Sequence, residues 1–290
     1  MRERLEERLK RYLDLIGCER GRTLAPDLAT LRAVHRHHVT RISYENIDVV
    51  LERPVDRSVD RIIAKLVDAG RGGWCYEMNG LLGWALAELG FQVEERAGAV
   101  MRAKSGDQAI GNHLVLLVTL GQTRYVVDVG LGDGPIEPYE LRPGAFEQFG
   151  QSYRLELLGL DEWRLHNRSG AMPPSFDFFS AVPDDAALNR TCETLQTDPE
   201  SMFRQNLICM RPQTDGNGQS LVGRVLTQQR SGERTLLQSA DELRATLTGT
   251  FDLRIDGLGD GGLEELWSRV AARHQALFGD TPLEEIDFSS

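Results

Sequence analysis

An α+β fold is predicted by three features of the chain. The first 90 or so residues carry apolar side chains at helical spacing. Residues 91–180 change to short β-branched runs of strand length, separated by turn residues. The remainder returns to a mixture of hairpin and helix signals. At 290 residues the chain exceeds the usual size for one hydrophobic core, so two or three subdomains sharing a cleft are expected.

Each element follows from its pattern. Leu5, Leu9, Tyr12, Leu13 and Ile16 form one apolar helical stripe, and Leu28, Leu31, Val34 and His38 form another. A third helix opens at Ser58, a favourable N-cap, carries Val59, Ile62, Ile63 and Leu66, and stops at Gly70. A fourth follows Gly72-Gly73, with Met78, Leu81, Leu82, Ala85 and Leu89 on one face, Gly90 at its end and Cys75 in its first turn. Residues 91–102, 113–120, 125–129, 153–158 and 163–166 read as strands of a small antiparallel sheet or barrel. Residues 184–203 are ambiguous. Residues 221–228 and 235–238 suggest a hairpin around Ser231-Gly232, Ser239 to Glu242 form a capping-box pattern, and residues 251–255 read as a returning strand. Leu263, Leu266, Trp267, Val270, His274 and Leu277 mark a terminal amphipathic helix.

Composition narrows the function classes. The 41 % hydrophobic and 27 % charged residues, with no low-complexity tract or internal repeat, describe a chain that folds throughout. Cys18, Cys75, Cys192 and Cys209 have neither the spacing nor the density of a disulfide framework, so each thiol is expected to be free in a reducing compartment. The N-terminus is charged from its second residue, unlike a signal peptide, and the apolar run 114–120 is far too short to span a bilayer. A cytoplasmic location is therefore expected. A net charge of −11 argues against nucleic acid or an anionic membrane as main partner, while leaving room for a small anionic ligand held locally.

Three residues have the makings of a reaction centre. In Arg71-Gly72-Gly73-Trp74-Cys75-Tyr76-Glu77-Met78-Asn79 a tight turn runs directly into a helix start, where the helix dipole and open N–H groups favour a thiolate on Cys75. His113 opens a strand and Asp128 lies in the next. If Gly121-Gln122 forms a two-residue type II′ turn, Leu120 pairs with Thr123 and Asp128 falls opposite Val115, on the His113 face. The two side chains are then diagonal neighbours, about 7–8 Å apart at Cα. A register slip of one residue would put Asp128 on the other face. An Asp among Val126, Val127 and Val129 needs a partner, because an isolated buried charge is expensive. Cys75, His113 and Asp128 thus supply nucleophile, base and orienting acid. The other histidines have no paired zinc spacing, so no metal is expected, and His35, His37 and His38 read as an interface or surface feature of a helix.

The segment 71–79 resembles, almost position by position, the active-site segment of the arylamine N-acetyltransferase family. Ser43-Tyr44-Glu45-Asn46-Ile47 resembles the family's Pro-Phe-Glu-Asn-Leu stretch, and Asn112-His113-Leu114 and Val127-Asp128-Val129-Gly130 resemble its His and Asp strands. The resemblance implies three regions: a helical bundle bearing the cysteine (1–90), a β-barrel bearing His and Asp (91–185) and an α/β lid (186–290). Its core would be similar to that of transglutaminases and papain-like proteases. It implies acetyl-CoA as acyl donor, an aromatic amine or hydrazine as acceptor, and a ping-pong mechanism through acetyl-Cys75. The loop of Gly130, Gly132 and Gly134 would face the pantetheine arm, Tyr44, Trp74 and Leu131 would line the substrate pocket, and Glu45 and Arg71 would form a supporting ion pair.

The chain departs from the family after Asp128. Leu131 replaces an aromatic residue, reshaping the implied pocket, and Asp133 and Glu137 are poor neighbours for a pyrophosphate. Arg102 and Lys104, ahead of His113, are the candidate phosphate contacts, weighed against solvated surface charge. The same residues admit other readings: a macrolactam-forming amide synthase fed by an acyl carrier protein, a transglutaminase-like cysteine hydrolase, or a non-catalytic binding module.

Overall fold

The computed structural model describes residues 2–18, 24–279 and 281–286. The helical first part comprises α1 (Arg2–Ile16), α2 (Leu28–Arg41), a two-residue strand β1 (Tyr44–Glu45), α3 (Ile47–Val50), α4 (Val59–Ile62) and α5 (Cys75–Glu88). The α4 helix widens to π spacing over Ile63–Asp68 before Gly70 ends it at φ +64°. Asp27 caps α2 by accepting from the Thr30 N–H at 2.8 Å.

Eight strands then form one antiparallel sheet: β2 (Gln92–Val100), β3 (His113–Leu120), β4 (Thr123–Val127), β5 (Tyr139–Glu140), β6 (Gly144–Gln148), β7 (Gln151–Leu157), β8 (Glu162–His166) and β9 (Ser175–Phe179). A short helix, α6 (Arg102–Ser105), lies between β2 and β3. The strand order β5-β4-β3-β2-β9-β8-β7-β6 leaves β5 and β6 as edges with no ladder between them, so the sheet is a curled half-barrel and not the closed barrel the resemblance implied. Tyr139, Phe146 and Tyr153 stack across the end of that curl, at centroid separations of 4.8 and 5.2 Å.

The third part contains α7 (Asp185–Thr197), α8 (Met202–Gln205), strands β10 (Ile208–Arg211), β11 (Gln219–Val222), β12 (Val225–Gln228) and β13 (Arg234–Leu236), then α9 (Ala240–Ala245) and α10 (Gly262–Phe278). Its sheet is antiparallel throughout and its first strand is β1 of the helical part, with Tyr44 opposite Met210. The stretch 221–228 turns at Gly223, φ +57°, into two paired strands, and the second of them, β12, forms the expected hairpin with β13 around Ser231-Gly232. Residues 251–255 are not a strand, since their backbone returns to the helical part, with the Arg254 N–H on Gly70 O at 3.0 Å.

The cores cross the expected boundaries at 90 and 185. Leu116 and Val118 of β3 pack with Leu81, Leu82, Ala85 and Leu86 of α5, while Val115 and Leu117 face the half-barrel beside Phe176 and Phe178. This strand is covered on both faces, which is why its sequence is a continuous apolar run rather than an alternation. Ile47, Val50 and Leu51 share a core with residues of β10, β11, α9 and α10. Among the described residues, no helix is long and apolar enough to cross a membrane.

Candidate active site

Cys75 is the first residue of α5, after the extended Trp74. The glycines before it are there for close approach. A Cβ on Gly72 would lie 2.1 Å from the carbonyl oxygen of Ser43, and one on Gly73 would lie 2.7 Å from Cβ of Glu77. Glu77 accepts from the Trp74 N–H at 3.2 Å, fixing the first turn. The N–H groups of Cys75 and Tyr76, first in the helix, have no acceptor among the described residues. Cys75 is only 2 % exposed and lies among Tyr44, Trp74, Tyr76 and Leu114, with half-buried Phe203 and Met210 against the same cluster.

His113 and Asp128 meet through the register that the sequence predicts. Leu120 pairs with Thr123 across Gly121-Gln122, with Gly121 at φ +60°, and the ladder runs to Leu116 opposite Val127. His113 Nε2 bonds Asp128 Oδ2 at 2.7 Å. That leaves Nδ1 as the nitrogen not used by Asp128, while the Cys75 sulfur lies 3.9 Å from the carbonyl oxygen of Asn112, the residue before His113. Opposite His113 on β2 stands Gly98, where a Cβ would come within 2.9 Å of the imidazole Cδ2. Phe176 of β9 meets the ring edge to face at 5.4 Å.

The Asp128 carboxylate is fully engaged. Its Oδ1 accepts from Asn79 Nδ2 at 2.8 Å and from the Gly130 N–H at 2.9 Å. Asn79 also donates to Leu114 O at 2.6 Å and accepts from the Val129 N–H at 2.9 Å. Burial raises the Asp128 carboxyl, but the charge and hydrogen bond of His113, then Asn79 and Gly130, outweigh it and leave the group below its ordinary value. Burial opposes the imidazolium of His113 in the same way, yet Asp128 and Cys75 push its pKa up to about 10. At neutral pH the centre holds a carboxylate–imidazolium pair beside the sulfur.

His35 and His38 correct the surface reading of that helix, being 1 % and 0 % exposed. His35 Nε2 accepts from the Asp128 N–H at 3.2 Å while its Nδ1 meets Ile136 O at 2.8 Å. This fixes a neutral ring protonated on Nδ1, consistent with burial lowering its pKa. His38 bonds the Tyr12 hydroxyl at 2.8 Å, and His37 bonds Ile16 O at 3.1 Å.

Beneath the start of α5 lies a cluster of ionic side chains. Arg71 donates to Glu45 Oε1 through Nε and Nη2 at 3.0 and 2.7 Å. Lys65 lies 2.8 Å from Glu77 and 2.9 Å from Asp48, and Asp48 is 3.4 Å from Arg71. Three carboxylates face two cations. Glu77 registers the imbalance: burial first, against the pull of Lys65, pushes it up to about 7. Lys65 is raised by the same carboxylates against the effect of burial.

The remaining sequence candidates fall into place differently. A Cβ on Gly130 would lie 2.7 Å from Asn79 Nδ2 and 2.8 Å from Cys75 Cα, and one on Gly132 would lie 2.5 Å from Met210 Sδ. Both glycines thus let the loop close onto the protein itself; Gly134 has Leu131 as its near neighbour. Leu131 is 7 % exposed and belongs to the core of the half-barrel with Val115 and Tyr139. Arg102 is engaged by Asp107, Glu162 and Asp177, so its guanidinium is already committed, and Lys104 is exposed on α6. The two acids of the loop are neutralised: Asp133 pairs with Arg168 at 2.5 Å, and Glu137 with Arg36 and Arg32. Asn79, Phe176 and Gly98 were given no role from sequence, and His35 was read only as an interface or surface residue; of these, Asn79, four residues beyond Cys75 and so on its helix face, had a readable signal.

A family model described as N-acetyltransferase matches residues 27–258. This chain belongs to the N-acetyltransferase family. Among its relatives in that family, the arylamine N-acetyltransferase of Mycolicibacterium smegmatis is 36 % identical over 269 residues, covering 90 % of this chain and 96 % of the relative. That of Escherichia coli (strain K12) is 30 % identical, covering 80 % and 84 %. Of solved N-acetyltransferase structures, the arylamine N-acetyltransferase of Mycobacterium marinum in complex with CoA superposes with a TM-score of 0.81 at 32 % identity, over 90 % of this chain and 98 % of that one. The Salmonella typhimurium enzyme gives 0.81 at 27 % identity, over 91 % and 98 %.

Proposed function

We propose that this chain is an arylamine N-acetyltransferase that moves an acetyl group from acetyl-CoA to an aromatic amine or hydrazine through an acetyl-Cys75 intermediate. The observation that carries this reading is the bond of 2.7 Å between the His113 imidazole and Asp128, with the Cys75 sulfur at the start of α5 lying 3.9 Å from the carbonyl of the residue before His113. The Cys75 sulfur attacks the thioester carbonyl, forming a new carbon–sulfur bond. The open N–H groups of Cys75 and Tyr76 at the start of α5 are the candidates to receive the negative oxygen. The carbonyl re-forms as the CoA sulfur leaves, taking the proton held by His113. The amine nitrogen then attacks acetyl-Cys75, gives a proton to His113, and releases the Cys75 sulfur with the amide. Asp128 keeps the ring oriented through both halves.

Asn79 and Gly130 hold Asp128, while the Glu45–Arg71 pair and Lys65 anchor the turn that presents Cys75. An apolar cleft of about 350 Å³, lined in part by Ile110, Gly111, Phe179 and Leu188, suits the aromatic part of an acceptor. Leu188 also belongs to the cluster around Cys75. The kinetic test varies acetyl-CoA at several fixed arylamine concentrations. Parallel double-reciprocal lines support the substituted-enzyme scheme. Intersecting lines exclude it, and turnover with an acyl carrier protein thioester alone would assign the amide-synthase reading instead.

A further inference from the structure

One imidazole pins both ends of the loop that follows β4. The β3–β4 ladder stops at Val127 opposite Leu116, so the Asp128 N–H lies beyond the last strand pair. His35, on α2, accepts that N–H at Nε2 and donates from Nδ1 to the Ile136 carbonyl, at 3.2 and 2.8 Å. The segment between these contacts contains Gly130, Gly132 and Gly134, and glycine loses more freedom on ordering than any other residue. The loop also backs onto the helix that carries the sulfur, since a Cβ on Gly130 would lie 2.8 Å from Cys75 Cα. Arg32 and Arg36 of the same α2 pair with Glu137 just past the loop, but they grip a side chain and are themselves partly exposed. His35 grips the backbone of the acid itself, and it is buried.

Both contacts require one state of the ring. Only a neutral imidazole protonated on Nδ1 can donate to the Ile136 carbonyl and still keep a lone pair on Nε2 for the Asp128 N–H. Burial is the largest influence on His35 and favours the neutral ring, against the pull of the Ile136 carbonyl and of the Asp128 and Glu137 carboxylates. His38, one turn further along α2, adds no charge: burial first, then His35, pushes it down to about 3. The carboxylate of Asp128 is fixed by His113, Asn79 and Gly130, and its main chain, past the ladder, by His35.

We propose that His35 is a positioning residue for acyl transfer, its neutral ring holding the Asp128 backbone in the place from which the carboxylate orients His113. This rests on the acyltransferase reading above. Two variants of the full chain separate the roles of the ring nitrogens. His35→Gln puts an amide oxygen near the position of Nε2 and keeps an acceptor for Asp128, whereas His35→Asn puts an amide nitrogen near that of Nδ1 and keeps only the donor for Ile136. His35→Asn is expected to lower kcat and kcat/KM together by about tenfold or more, with KM for acetyl-CoA little changed, as the acid and ring lose alignment. His35→Gln should recover most of that loss, although urea unfolding should show the two variants similarly destabilised. Equal losses of activity in the two variants, or a loss that appears as a raised KM, would overturn the positioning role. Long-range 15N NMR of the unaltered chain should find His35 protonated on Nδ1 and bare on Nε2 at neutral pH; the other tautomer, or an imidazolium, would overturn it whether or not the variants fold. Alkylation of Cys75 by iodoacetamide, which needs no acyl donor, should show the same contrast between the variants. That contrast in a chain that acetyl-CoA fails to acylate would reject the acyltransferase reading and keep His35 as the holder of the Asp128–His113 pair.

Discussion

Asn79, one helical turn beyond Cys75, donates to Asp128 Oδ1 at 2.8 Å and accepts from the Val129 N–H at 2.9 Å. The helix that presents the sulfur therefore also grips the acid that orients the imidazole, and the two strands of the half-barrel are registered against it. Replacing Asn79 with alanine leaves the Val129 N–H unpaired and removes one of three donors to Asp128. Stability should fall by roughly 2 kcal/mol, and kcat/KM by about tenfold to a hundredfold as the carboxylate and ring lose their alignment. Denaturant melts and steady-state kinetics on one preparation check both; unchanged kinetics would show that the clamp does not position Asp128.

Gly98→Ala tests the placement of His113 from the other side. Its new Cβ would lie 2.9 Å from the imidazole Cδ2, forcing the ring to move. A displacement of about 1 Å costs on the order of a hundredfold in rate, and the expected result is that loss with near-normal far-UV circular dichroism. Full activity would mean the ring is not held where the structure puts it.

The His113–Asp128 pair predicts a pH window for stability. The pKa of His113 is raised from its ordinary 6.5 to about 10, so its contribution is complete below 6.5 and is lost as pH rises through about 10. Asp128 is depressed, so its contribution is present above the ordinary carboxylate range and lost as pH falls through its lowered value. Both shifts express one pair and count once. Urea unfolding should show a decline between pH 6.5 and 10 of roughly a few kcal/mol at most, absent in His113→Gln. An identical alkaline decline in that variant would locate the effect elsewhere.

Lys65→Met would leave Glu77 and Asp48 without their shared cation and should destabilise the protein by about 3–5 kcal/mol. Adding Glu77→Gln to it should recover part of that loss. A double variant no more stable than Lys65→Met alone would show that the two side chains do not act as a pair.

Much of the site was legible because it depends on short-range rules. The Gly72-Gly73 turn fixes where α5 begins, and the two-residue turn at Gly121-Gln122 fixes the register that brings Asp128 to His113. What sequence left hidden depends on distant packing. His35 reads as one of three surface histidines until the loop after β4 folds over it, with partners Asp128 and Ile136 about a hundred residues away. Strand patterns admit either a sheet or a barrel, since they say nothing about whether the two edges meet, and the barrel that the family resemblance implied is an open half-barrel here. Arg102 could be identified as a cation but not as one already surrounded by Asp107, Glu162 and Asp177.

The central claim is that Cys75 carries the acyl group. Burial pushes the Cys192 thiol up to about 12 and raises Cys209 as well, so neither competes as a thiolate near neutral pH. The most direct measurement is the intact mass of the protein after brief exposure to acetyl-CoA without amine, followed by peptide mapping. One acetyl group on Cys75, lost when an arylamine is added, is the predicted result. A folded protein whose Cys75 alkylates readily but gains no acetyl group would contradict it.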